Sequence, residues 1–314
     1  MAFQFNTIPL TEIYFNGINV SEIYFNTVQV WPDGSPLTLI GLFFGGGSPA
    51  TNLMTRIDID GALVGSETSV GSAKRIHAGA PVGGNGMFYS GTSSAGTLTN
   101  TVTRITASGL LAGSETSVGT SRTYIGGAGA GGIGLFYGGD TSTPLLTRVD
   151  SGGVIVGSQV TVGPAGRRFR HAGASVGGNG MFYAGTKAST NVNTVTRIDS
   201  AGALVGSETS VGSARYSLGG ASIATADIGI FYGGSPANNT ATRIDSAGSL
   251  VGSETMLGTT GRLPGGAGLG PIGIFYSGTT SNLATRIDAA GSLVGVETTV
   301  GTGRAGLAGA EASL

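Results

Sequence analysis

Histidine, the side chain best suited to proton transfer near neutrality, occurs only at His77 and His171. Each opens an Ala-Gly-Ala run, and the matching positions elsewhere hold Ile125, Leu218 and Leu307. A site that otherwise takes an apolar side chain predicts a packed histidine, and no third metal ligand recurs beside either one. Cysteine is absent, which removes thiolate nucleophiles, thiolate metal sites and disulfides. Acids and arginines recur in near-identical sets such as Arg197, Asp199 and Glu208, with Arg215 opening the segment that follows. Such repetition predicts structural pairing between strands, whereas the carboxylate pair of a glycosidase would be unique to one place. Asp140 and Asp227 break the pattern and read as solvated loop acids. Arg167, Arg168, Phe169 and Arg170 form a basic cluster, read as a solvated turn, with contact to an acidic partner as the alternative. Gly127 to Gly132 fits G-x-G-x-x-G, but it precedes a strand signal and not a helix, so the phosphate-cradling geometry is not expected. No catalytic residue, metal or cofactor is expected.

The elements that would position these residues are short strands. The chain has 314 residues, of which 60 are glycine; charged residues make up 11% and hydrophobic residues 39%. Disorder would need fewer apolar residues and more net charge, and the formal net charge is −1. There is no basic stripe for nucleic acid and no uninterrupted apolar run for membrane insertion. The first residues lack the basic and apolar regions of a signal peptide.

One phrase organises residues 37–314. It reads GLFFGGG from Gly41, GMFYSGT from Gly86, GLFYGGD from Gly134, GMFYAGT from Gly180, GIFYGGS from Gly229 and GIFYSGT from Gly273. Each copy is followed by a Thr-Arg-Ile or Thr-Arg-Val segment, a glycine turn, an LVGSET-like segment, and a basic residue leading into Gly-Gly-Ala or Ala-Gly-Ala. Four short segments per unit, bounded by Gly, Ser or Asn, read as four strands, and a unit of about 46 residues matches a propeller blade. Arg122, Gly126-Gly-Ala128 and Leu135-Phe-Tyr-Gly-Gly139 resemble the order of the kelch repeat, as do Arg75, His77-Ala-Gly-Ala80 and Met87-Phe-Tyr89. The family's outer-strand tryptophan is missing, and Val-Gly-Ser-Glu-Thr stands in its place. The resemblance implies an all-β, six-bladed β-propeller with four strands per blade. The copper-oxidase activity of some kelch relatives would need a cluster of His, Tyr and Cys ligands, which a chain with no cysteine and two distant histidines does not supply. The first unit lacks its leading basic residue and small-residue run, while the last ends with a surplus copy at Arg304–Ala310. That tail is expected to close the first blade and so remove two open edges.

Residues 1–36 are a different object, a short N-terminal β-hairpin segment with a linker at Trp31–Pro36. The phrase Thr-Glu-Ile-Tyr-Phe-Asn-Gly at 11–17 returns as Ser-Glu-Ile-Tyr-Phe-Asn-Thr at 21–27, and Asn16-Gly17 is a hairpin-turn signal. So short a piece cannot bury its own core, so Ile13, Tyr14, Phe15, Ile23, Tyr24, Phe25 and Trp31 are candidates for contact with a partner. The tandem phrase resembles short N-terminal segments of tailed-phage virion proteins. That resemblance implies an anchor to other virion proteins and a location on the virion, with the propeller on a tail or appendage for attachment or assembly. A capsid-decorating head fibre and a microbial glycan-binding surface adhesin are the alternatives, and self-association stays open.

Variation between repeats concentrates in the loops after the aromatic strand. Candidate ligand residues there are Asn52, Thr97, Asn100, Thr141 and Asn191, with Asn193, Asn238, Asn239 and Asn282. Adaptable polar groups on a rigid scaffold suit binding, with a host surface glycan or receptor as the partner.

Overall fold

The computed structural model describes residues 38–163, 167–236, 239–259, 263–276 and 281–313, together with four two-residue strands nearer the N-terminus. Every regular element among them is a strand, and all pairings are antiparallel. The chain divides into two compact units, 1–38 and 39–314, two residues beyond the boundary expected from sequence.

In the first unit Tyr14–Phe15 pairs with Ile18–Asn19, and Tyr24–Phe25 pairs with Val28–Gln29. These are two minimal hairpins, one for each copy of the Ile-Tyr-Phe-Asn phrase. Ile13, Ile23 and Trp31 lie outside the described residues.

The second unit repeats one sheet. Ala172–Val176 is innermost, followed by Asn179–Tyr183, Thr194–Ile198 and the short outer strand Thr209–Ser210. Four further sheets have the same order, with innermost strands Ala78–Val82, Gly126–Ala130, Gly219–Ile223 and Gly265–Leu269. A sixth draws on both ends of this unit: Ala308–Ser313 lies beside Leu39–Phe44, from Ala308 opposite Phe44 to Ser313 opposite Leu39, followed by Thr51–Ile57 and Thr68–Arg75. The C-terminal tail therefore completes the first sheet. Outer strands only two residues long in most sheets leave little edge for adventitious pairing.

Neighbouring sheets meet along their innermost strands, and the succession closes on itself. A Cβ on Gly127 would run into the carbonyl oxygen of Gly79; one on Gly79 would meet Gly309, and Gly173, Gly220, Gly266 and Gly309 repeat the relation in turn. Only glycine permits that approach, which is why every repeat carries a small-residue run at this point. One strand outward, the aromatic pairs fill the gaps between sheets. Tyr137 packs on Phe182 at 5.1 Å between ring centroids, Tyr183 on Phe231 at 5.1 Å and Tyr232 on Phe275 at 5.3 Å, while Tyr276 returns to Phe43 at 5.2 Å. Adjacent residues on a strand point to opposite faces, so one Phe-Tyr pair serves two interfaces. Each such contact adds about 1 kcal/mol beyond area burial.

Candidate functional site

The recurring charges are taken up by the scaffold. The Thr196 hydroxyl donates to Glu208 and accepts from the buried Arg168 guanidinium, which also donates to the carbonyls of Phe182 and Thr194. Arg215 with Thr242 and Glu254, and Arg304 with Thr55 and Glu67, repeat the arrangement. Their guanidinium–carboxylate distances are 3.6–3.7 Å. Lys74 fills the same role with Thr103 beside Glu115, and burial pulls its ammonium down to about 8. The Glu carboxylates also tie sheet to sheet: Glu254 accepts from the Ser213 amide and hydroxyl, and Glu67 accepts from Thr302. Burial raises the pKa of Glu254, but hydrogen bonds from Ser213 and Thr242 outweigh it, leaving the carboxyl below its usual range.

The arginine and aspartate of the Thr-Arg-Ile-Asp segment do not pair with each other. Arg197 donates across to the Ser246 carbonyl of the next sheet, while Asp199 accepts from the Ala203 amide within its own turn. Asp140 and Asp227 are not simply solvated either. Asp140 accepts from the Thr123 amide and hydroxyl, and Asp227 from the Gly177 amide of the neighbouring sheet. In the formal G-x-G-x-x-G match, Gly127 and Gly129 lie within an innermost strand and Gly131-Gly132 form the turn after it.

Both histidines are buried, His77 at 6% exposure and His171 at 5%. His171 lies edge-on to Tyr137 and Phe182, and His77 to Phe44 and Phe88. Neither ring nitrogen has a hydrogen-bond partner of normal geometry. Burial, reinforced by the nearby cations Lys74 and Arg168, holds both well below 6.5, and the Phe44 and Tyr137 backbones offset only part of this.

Five of the candidate loop asparagines belong to the sheets. Asn52, Asn100, Asn193, Asn239 and Asn282 each donate a carboxamide N–H to a glycine carbonyl leaving the outer strand, at 2.9–3.0 Å. Their recurrence reflects this brace. Thr97 is exposed in its loop, and Thr141 donates to the Thr143 carbonyl. Asn238 lies outside the described residues. Asn191 is placed differently, in a hairpin of Thr186–Lys187 and Thr190–Asn191 that pairs with Arg168–Phe169 at the start of an innermost strand.

That start is where the repeats cease to resemble one another. Ile76, Tyr124, Arg170, Ser217, Leu263 and Gly306 occupy one structural position, just before each innermost strand, and all adopt φ between 56° and 67°. The left-handed region is costly for side chains such as isoleucine. Here it is imposed by a chain of backbone hydrogen bonds from sheet to sheet: Ile76 donates to Gly306, Tyr124 to Ile76, Arg170 to Tyr124, Ser217 to Arg170 and Leu263 to Ser217, at 2.7–3.2 Å. One conformation thus presents six different residues around an open cavity of about 100 Å³.

Part of the rim is aromatic and cationic. The Arg170 guanidinium lies 4.7 Å from the Tyr124 ring centroid and 5.5 Å from those of Phe169 and Tyr216. Arg167 lies 4.3 Å from Phe169. The basic cluster is therefore not a solvated turn: Arg168 is buried in the scaffold, and Arg170 is half-buried among rings. At the opposite end of the same strands, Ser175, Ser222 and Glu311 line a narrower cavity of about 20 Å³, and burial pushes the Glu311 carboxyl up to about 7.

The sequence reading took Arg170 only as part of the basic cluster and passed over Tyr124, at the matching position of the preceding repeat. Their signal was present as a position, two or three residues before the glycine run, that differs in every repeat. No family model matches this sequence, and no curated protein matches it.

Proposed function

We propose that residues 38–313 form a six-bladed, kelch-like β-propeller that works as a non-catalytic binding scaffold on a phage virion, on a tail or other appendage, in attachment or assembly. The observation that carries the binding reading is the division of labour between repeated and unrepeated residues. The charged groups common to the repeats are hydrogen-bonded within and between sheets, while the residues that differ gather on one rim. Binding surfaces on rigid scaffolds are commonly built from such variable positions. Support for the virion assignment is narrower and comes from the tandem Ile-Tyr-Phe-Asn phrase, each copy of which forms a minimal hairpin. Such hairpins have no core of their own and need a partner surface. In this reading residues 1–36 dock on other virion proteins and the propeller faces a host glycan or receptor.

Removing residues 1–36 tests the assignment. The shortened chain is expected to keep its β-sheet circular dichroism and melting transition yet disappear from purified particles imaged by electron microscopy. Undiminished incorporation would overturn the anchor, and labelling confined to the capsid would favour the head-fibre alternative.

A further inference from the structure

The rim cavity combines three properties seldom found together by chance. Its cation lacks a counter-charge: among the described residues no carboxylate or carbonyl takes up the terminal nitrogens of the Arg170 guanidinium. This contrasts with Arg122, Arg168, Arg215 and Arg304, whose guanidinium groups all donate to hydroxyls and carbonyls. Secondly, Tyr124, Phe169 and Tyr216 surround that cation and fix its orientation, so little side-chain freedom is left to lose on binding. Thirdly, among the described residues no other charged side chain lines the cavity. The Ser217 hydroxyl sits on the rim itself, and the Thr186–Asn191 hairpin stands beside Phe169. Asp140 is taken up by the amide and hydroxyl of Thr123, the residue before Tyr124.

From this we propose that the rim cavity binds a carboxylated sugar, with Arg170 receiving the carboxylate and the neighbouring Ser217 hydroxyl receiving a sugar hydroxyl. The proposal deepens, and rests on, the reading of this unit as a binding scaffold. A planar guanidinium presents paired N–H donors that match a carboxylate in a bidentate fashion. The cavity offers one such oriented cation among uncharged groups, which fits a compact ligand carrying a single acid. A polyacidic peptide would call for several oriented cations, and Arg167, at the edge of the cluster, is exposed. Ile125, Leu218 and Leu307, one residue further along each strand, add apolar surface suited to the C–H face of a pyranose ring.

The full-length chain is to be titrated calorimetrically with oligosaccharides ending in glucuronate, galacturonate or N-acetylneuraminate, and with their neutral methyl esters. At least one acid is expected to bind, with its ester bound about tenfold more weakly or worse, as loss of a charge-assisted hydrogen-bond pair implies. Arg170→Gln is expected to abolish that preference while keeping the wild-type melting temperature, since it leaves the backbone bonds at this position in place. Asp227→Asn, at the opposite end of the sheets, should leave binding unchanged. Equal affinity for acid and ester, or undiminished acid binding by Arg170→Gln, would overturn the proposal. So would failure of all three acids, whereas binding of a Glu-rich peptide in their place would show an acidic-protein site. A chain that binds none of these yet still mediates particle attachment would refute the sugar site and leave the scaffold reading standing.

Discussion

His77 and His171 show how one side chain can be out of keeping with its surroundings and still be tolerated. Each replaces an aliphatic residue of the other sheets, Ile125, Leu218 or Leu307, in a pocket without a hydrogen-bond partner for the ring. Because the folded-state pKa lies well below 6.5, the unfolded chain takes up protons first as pH falls. Stability is then lost progressively below about pH 6.5. The double variant His77→Leu, His171→Leu is expected to gain about 1 kcal/mol or more and to flatten that acid limb, as read from melting temperature against pH. Glu311 acts in the opposite direction: its folded pKa of about 7 exceeds the ordinary 4.5, so stability declines as pH rises between those values, and Glu311→Gln removes that decline. The packed character of the histidines could be read from the residues at equivalent positions. The partners of Asp140, Asp227 and Arg197 could not, because each lies in a different loop or sheet.

Strands and turns were largely legible in the sequence. The alternation in Thr-Arg-Ile-Asp and Ile-Gly-Ile-Phe-Tyr segments and the glycine-rich punctuation define antiparallel strands wherever they recur. The Asp-Ser-Ala-Gly turns at 199–202 and 245–248 form as their composition implies, with the aspartate accepting the amide four residues on. The closest approach between elements is between innermost strands, and Gly127→Ala measures how strictly it is enforced. Its new methyl group would be driven into the Gly79 carbonyl and the Ala78 side chain. A loss of about 3 kcal/mol is expected from such overpacking, visible in chemical denaturation, whereas a neutral result would mean that the inner strands are free to separate. The candidate loops were read less well. Asparagine recurring at one place looked like an adaptable binding surface, but a residue repeated in register more often answers a need of the repeat itself. Here that need is a hydrogen bond to the outer strand.

At the level of the whole second unit, its first and last strands meet in one sheet. Arg304 reaches the Leu53 carbonyl, Thr55 and Glu67, and Thr298 donates to Gly61 at 2.7 Å. Deleting residues 303–314 exposes the edge of Leu39–Phe44 and leaves Glu67 without its cation. The melting temperature is expected to fall by roughly 10 °C or more, and aggregation should increase because an unpaired edge invites intermolecular pairing. A truncated chain that melted like the full-length one would show that closure is dispensable. The sequence by itself determined that this protein is built from repeated antiparallel sheets, that its recurring charges serve the scaffold, and that its last residues duplicate what the first repeat lacks. Local periodicity and repeat counting are enough for those conclusions, because each depends on neighbours along the chain. Only the tertiary structure decided which unrepeated residues act together. Ile76, Tyr124, Arg170, Ser217, Leu263 and Gly306 lie in separate repeats, and they meet on one rim because a backbone hydrogen-bond chain holds them all in the same left-handed conformation.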